Sequence, residues 1–129
     1  MAEKSVVRTE RAPAPFQGAP YSQAIRVGDL VFVSGQLALR AGEKELSGGS
    51  IQEQTDQIFQ NLAAILEEAG SGLDKLVKTT VFLRSLDDFA GMNEVYARRV
   101  GDRPPARSTV EVARLPSGAL VEIDAIAHL

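Results

Sequence analysis

Between residues 51 and 69 apolar side chains return at Ile51, Ile58, Phe59, Leu62, Ile65, Leu66 and Ala69. That spacing places them on one face of an α-helix. Ser50, with Glu53 three residues on, is a capping-box pattern at its start, and Gly70 supplies a stop. A second helix is predicted from Ser85, with Asp88 in its first turn. Its apolar stripe is Leu86, Phe89, Met92 or Asn93, Tyr96 and Val100, and Gly101 with Pro104-Pro105 ends it. The remaining apolar segments are short and rich in β-branched residues. Residues 4–9, 23–27 and 30–34 read as strands, the last two joined by a turn at Gly28-Asp29, and residues 37–39 extend a third. Residues 75–84 read as a central strand. Residues 106–113 and 119–127 are two more, separated by Leu115-Pro116-Ser117-Gly118.

The predicted order is β-β-β-α-β-α-β-β, an α+β layer in one domain spanning residues 1–129, with both helices on one face of a mixed sheet. The other sheet face is then uncovered. An open apolar face drives self-association, whereas a polar one leaves a monomer; the expectation here is an oligomer. Alternation in the last strands sorts their side chains. Val110 and Val112 point one way, and Arg107, Thr109 and Glu111 the other. Val121, Ile123, Ala125 and Ala127 form one face, opposite Glu122 and Asp124. If the apolar faces meet the helices, Arg107, Glu122 and Asp124 all lie on the far side, either as a solvated surface or as part of a site.

Composition narrows the chemistry. The 129-residue chain has no cysteine and a single histidine, His128. A disulfide framework, a cysteine-ligated metal, a thiol nucleophile and a histidine-based triad are excluded within one chain. The net charge is −3, which disfavours nucleic acid as the main partner. No stretch is apolar enough to span a bilayer, and the N-terminal MAEKSVVRTE is too charged for a signal peptide. A cytoplasmic location is expected. Ten of the fourteen cationic residues are arginine, the side chain that grips a carboxylate with two parallel bonds.

Several positions carry both a structural and a functional reading. Arg107 follows Pro104-Pro105-Ala106, which fixes the local backbone as an anchored recognition residue requires. Asn93 sits near the apolar stripe of the second helix, where a polar side chain needs a partner. Ser34-Gly35-Gln36 closes an apolar strand, where glycine allows either an ordinary bulge or the close approach of a ligand or another backbone. Gly18-Ala19-Pro20-Tyr21 reads as a rigid turn carrying a phenol, which packs the Pro-rich loop 12–22. Ser47-Gly48-Gly49-Ser50 lacks the lysine and spacing of a phosphate loop and reads as a loop with a cap.

Pro105-Ala106-Arg107-Ser108-Thr109-Val110-Glu111-Val112-Ala113-Arg114-Leu115-Pro116, followed by Val121-Glu122-Ile123-Asp124-Ala125-Ile126-Ala127, resembles the signature of the Rid (YjgF-type) reactive-intermediate deaminases. Ala19-Pro20-Tyr21-Ser22-Gln23-Ala24, Val33-Ser34-Gly35-Gln36, Val77–Leu83 and Met92-Asn93-Glu94-Val95-Tyr96 support it. The similarity runs in order from about residue 12 to 127.

The resemblance implies a chorismate-mutase-like fold and a homotrimer with a barrel-like centre, with small-molecule clefts between subunits. The implied reaction is hydrolysis of 2-imino acids, or their enamine tautomers, to 2-oxo acids and ammonia, with no metal or cofactor. Carried over by position, Arg107 binds the substrate carboxylate and Glu122 is associated with the hydrolytic water. Tyr21, Ser34, Gly35 and Asn93 line the cleft. The chain departs from the family pattern at Thr109, where many members have cysteine, and at Leu37-Ala38-Leu39-Arg40, where a proline-containing turn is common. A non-catalytic carboxylate-binding or protein-interaction module is the alternative. An endoribonuclease is weaker, because the chain is acidic and lacks histidine bases. A tight hairpin between the last two strands would place Arg107 and Glu122 ~13 Å apart, so an intersubunit site or a non-hairpin connection is expected.

Overall fold

The computed structural model describes residues 3–129. Met1 and Ala2, which open the charged N-terminal stretch, lie outside the described residues. The elements are β1 (Ser5–Val7), β2 (Ala24–Val27), β3 (Leu30–Gln36), α1 (Ile51–Glu68), β4 (Leu76–Leu83), α2 (Phe89–Val100), β5 (Ala106–Glu111) and β6 (Val121–His128). This is the expected order. The six strands make one sheet in the order β1-β2-β3-β6-β4-β5. All neighbours are antiparallel except β4 and β5. A parallel pair needs a crossover, and α2 supplies it. The last two strands are therefore no hairpin: β4 lies between them.

Local chemistry explains the helices. The Ser50 hydroxyl accepts from the Glu53 N–H at 3.0 Å, and the Ser50 N–H donates to Glu53 Oε1 at 3.2 Å, a complete capping box. The predicted stripe of α1 is buried throughout, with Ile58, Phe59, Leu62, Ile65 and Leu66 inaccessible to solvent. It packs on Val31, Val33, Ile123, Ala125 and Ala127 of the sheet, with Met92, Tyr96 and Val100 from α2. Phe59 and Tyr96 meet edge to face at 5.4 Å, a geometry that aromatic pairs favour.

Three expectations need correction. Residues 37–39 do not extend a strand; only Leu39 pairs, in an isolated bridge to Leu46. Their backbone is diverted by Asn61 of α1, which donates to the Leu37 and Leu39 carbonyls. The second helix starts later than Ser85, after a 3₁₀ turn at Leu86–Asp88, and Leu86 and Phe89 of its stripe are exposed. They precede the part of α2 that reaches the core. Finally, β5 faces the other way. Arg107 pairs with Thr79 of β4, and Thr79 is buried against Tyr96 of α2 through a 2.6 Å hydroxyl pair. Paired residues share a face, so Arg107 and Thr109 lie on the helix side and Val110 on the open side. The reason is position: β5 is an edge strand beyond the main core, so its apolar residue joins the open face instead.

That open face carries Phe32 of β3, paired with Ile126 of β6, and Phe82 of β4, paired with Val110 of β5. Phe32 is 40% and Val110 42% exposed. Glu122 and Asp124 stand on this side, as expected from the alternation.

Candidate active site

The nominated residues fall into two groups. The first contains Arg107, Asn93 and Thr109. Arg107 Nη1 donates to Asn93 Oδ1 at 2.8 Å. The guanidinium lies 4.6 Å from the centre of the Tyr96 ring and 5.5 Å from that of Phe89. A flat, delocalised cation stacks well on such rings. Arg107 is thus held on three sides by α2, which is the partner that Asn93 needed. One hydrogen bond occupies one of five N–H donors, so the fork retains donors for a carboxylate. Thr109, two residues along β5, shares this side.

The second group contains Tyr21, Ser34, Gly35 and Glu122, which line one pocket of about 340 Å³. Between Val33 and Gln36 the register of β3 slips against β6, so that three steps on β3 match two on β6. This is a β-bulge, and it also brings the chain close to Glu122. A Cβ built on Gly35 would meet the Glu122 carboxylate, lying 2.9 Å from its Cδ. The bulge reading of the Ser34-Gly35 motif holds, and the group that approaches the glycine is the Glu122 side chain. The Ser34 hydroxyl donates to the Ser22 carbonyl at 2.6 Å, fixing the bulge to the segment that carries Tyr21. The Tyr21 hydroxyl accepts the Phe16 N–H, which leaves its own proton free to donate. Tyr21 thus both organises the Pro-rich loop and faces the pocket.

Glu122 is the one carboxylate on this pocket. Burial pushes its pKa above the ordinary carboxylate value, and the neighbouring Asp124 adds to the rise. Asp124 is itself engaged, accepting the Thr80 N–H at 3.2 Å. Among the described residues no cluster of His, Cys, Asp or Glu is arranged to hold a metal ion. No helix of the described residues is long and apolar enough to cross a membrane.

The two groups do not meet within one chain. Arg107 aligns with Thr79 and Glu122 with Phe82, on opposite flanks of β4. Three residues along and two strands across puts their backbones ~14 Å apart, with the side chains on opposite faces of the sheet. Sequence reasoning also missed the apolar wall of the Glu122 pocket, formed by Phe16, Leu37, Leu39 and Pro116. The signal available was the Pro-rich loop with an aromatic anchor. It missed the buried amides Gln54, Gln57 and Asn61 on α1 as well; they fall between the apolar positions and look like a solvated face.

Fold and site together define a small α+β protein with an acid-bearing pocket on one side of its sheet and an anchored arginine on the other. A family model described as Endoribonuclease L-PSP matches residues 9–129. A RutC family protein of Pyrococcus abyssi is 50% identical over 125 residues, covering 97% of both chains. Reactive Intermediate Deaminase A of Arabidopsis thaliana, a chloroplastic protein, is 44% identical over 127 residues, covering 98% of this chain and 67% of that one. The crystal structure of RidA from Psychrobacter superposes with a TM-score of 0.91 at 42% identity, covering 97% and 99%. That of TdcF from E. coli with bound serine does so with 0.89 at 36% identity, covering 97% and 98%. The chain belongs to the endoribonuclease L-PSP family, which is the Rid family that its motifs resemble.

Proposed function

We propose that the chain is a hydrolytic deaminase that converts 2-imino acids, such as 2-iminobutanoate and 2-iminopropanoate, to 2-oxo acids and ammonia. The observation that carries this reading is the half-buried Glu122 with a raised pKa, alone among carboxylates on a pocket of ligand size. A general base works best with a pKa drawn toward the working pH. Glu122 takes a proton from water as the oxygen adds to C2 of the imine. Glu122 hands that proton to the imine nitrogen, giving the neutral carbinolamine; it then carries the hydroxyl proton to the amine nitrogen, and collapse to the carbonyl releases ammonia and leaves Glu122 ionised as it began. Tyr21 donates a hydrogen bond in the same pocket.

The substrate carboxylate is held by Arg107 through two charge-assisted bonds, with Asn93 and the two rings fixing the fork and Thr109 beside it. Since Arg107 and Glu122 lie apart in one chain, the complete site is formed between copies. Each cleft takes Glu122, Tyr21, Ser34 and Gly35 from one copy and Arg107, Asn93 and Thr109 from its neighbour. Packing of the open apolar faces into a homotrimer supplies the assembly. The names of the Arabidopsis relative and of the serine-bound TdcF support a small amino-acid-derived carboxylate as ligand. An endoribonuclease, the description of the matching family, finds less support: the chain carries net −3 charge and its pocket holds one acid and no basic side chain. A cytoplasmic location accompanies the proposal.

The test generates imines in situ from amino acids with an amino-acid oxidase and follows imine loss. Acceleration by the protein is expected. An unaccelerated rate, with a small carboxylate still bound, would favour the non-catalytic module instead.

A further inference from the structure

The Glu122 pocket has a mixed lining. Tyr21, Gln23, Ser34, Gln36 and Glu122 supply its polar lining, and Phe16, Leu37, Leu39 and Pro116 a continuous share of its apolar lining. Leu37 and Leu39 are buried and, with Ala119, form an apolar cluster separate from the main core, on which Phe16 packs. This wall is rigidly built. Asn61, only 2% exposed, donates to the Leu37 and Leu39 carbonyls at 3.1 and 2.8 Å. The Ser47 N–H donates to the Ala38 carbonyl at 2.6 Å. On the other flank the buried Gln23 amide donates to the Ala12 and Pro13 carbonyls at 3.3 and 2.8 Å, fixing the loop that presents Phe16.

A carboxylate or an ammonium placed against this wall would be desolvated without a partner. Only the alkyl or aryl end of a ligand fits there. The pocket of about 340 Å³ has room for several waters. A methyl side chain leaves most of that water against apolar carbon; a branched or aromatic one displaces it.

We infer that Phe16, Leu37, Leu39 and Pro116 receive the side chain of the substrate, and that the protein selects 2-imino acids with branched aliphatic or aromatic side chains over 2-iminopropanoate. The inference rests on the deaminase reading for its reaction and on this wall for its selectivity.

The experiment compares imines generated in situ from leucine, phenylalanine and alanine, with kcat/KM as readout. In a second arm, calorimetry compares binding of 4-methyl-2-oxopentanoate and pyruvate. The leucine- and phenylalanine-derived imines are expected to exceed the alanine-derived one by at least about tenfold, since hydrophobic pockets discriminate to that extent per methylene. The ratio falls toward one in Leu39→Ala and in Phe16→Ala. Phe16 is partly exposed and its backbone bond to Tyr21 survives truncation, so this variant keeps the test open if Leu39→Ala fails to fold. Equal rates for all three imines in the wild type overturn the selectivity and leave the deaminase standing. No turnover, together with tighter binding of the larger 2-oxo acid that Phe16→Ala removes, supports the side-chain receptor and overturns the deaminase. Neither turnover nor preferential binding overturns both.

Discussion

Arg107 and Asn93 are joined by a 2.8 Å hydrogen bond between β5 and α2, and the Tyr96 ring lies 4.6 Å beneath the guanidinium. The arrangement fixes both the direction and the plane of the fork before any ligand arrives. Preorganisation of this kind reduces the ordering cost of binding. Arg107→Ala is therefore expected to lower kcat/KM for imine hydrolysis by a factor of about 10² or more, each charge-assisted bond being worth roughly 1.5–3 kcal/mol. Arg107→Lys restores little, because an ammonium offers no planar pair of donors. Wild-type kcat/KM in Arg107→Ala would remove the assignment.

Complementation between copies tests the division of the site. Arg107→Ala and Glu122→Gln are each expected to retain only a small residual activity alone. If each cleft of the proposed trimer draws its two groups from different copies, random mixing makes about a quarter of the clefts intact. Recovery of about that share of wild-type activity on co-refolding is expected. No recovery from well-mixed trimers would place both groups of a site in one copy.

Glu122 couples pH to both rate and stability. Its folded pKa is raised above 4.5 by burial and by Asp124. Between the ordinary value and the raised one, the folded chain binds more protons than the unfolded chain, so this group's contribution to stability falls as pH rises through that window. Glu122→Gln should therefore be more stable than wild type at neutral pH, and the advantage should vanish below about pH 4.5. Thermal melts across pH measure this. The deaminase rate should fall as pH drops through the raised pKa, a limb absent from the variant's residual activity.

Gly35 separates activity from folding. A methyl group there meets the Glu122 carboxylate, the far end of a flexible side chain, rather than backbone. Gly35→Ala is expected to change stability by less than about 1 kcal/mol, the scale of a strand glycine replacement, while lowering activity at least tenfold by displacing the carboxylate. A melt and a rate on the same preparation decide it. Unchanged turnover would mean that the observed position of Glu122 is not the working one.

Asn61 makes the opposite kind of prediction. Asn61→Ala strands the Leu37 and Leu39 carbonyls near the core, which should cost about 2–4 kcal/mol in denaturant unfolding. It should also loosen the apolar wall of the pocket. A loss below 0.5 kcal/mol, on the order of a surface substitution, would show that water replaces the amide.

The elements were legible because local signals and packing agreed. The α1 stripe, its capping box and the β6 alternation all point to a face that does meet the sheet. β5 was misread because alternation states which residues share a side and leaves open which side is buried. On an edge strand the core does not decide, and the arginine takes the helix side because Asn93, Tyr96 and Phe89 receive it there. Asn93 was the legible hint: a polar residue near an apolar stripe marked where Arg107 docks. The pocket wall was hidden for another reason. Phe16, Leu39 and Pro116 come from three loops distant in sequence, and no periodicity links them. The grouping of Tyr21 and Ser34 with Glu122 came only through resemblance, because the bulge that unites them is a matter of register.

The bulge at Ser34-Gly35 has a consequence for how the gene can change. One extra residue there lets both Val33 and Gln36 pair with core-facing residues of β6, Ala125 and Ile123, so every position that follows is offset by one step of the pleat. Deleting a single codon in this stretch would swing Gln36 out and withdraw the glycine from beneath Glu122. The charged loop at 40–49 has no such parity to keep, so length variation among descendants of this sequence should accumulate there and spare the four residues from Val33 to Gln36.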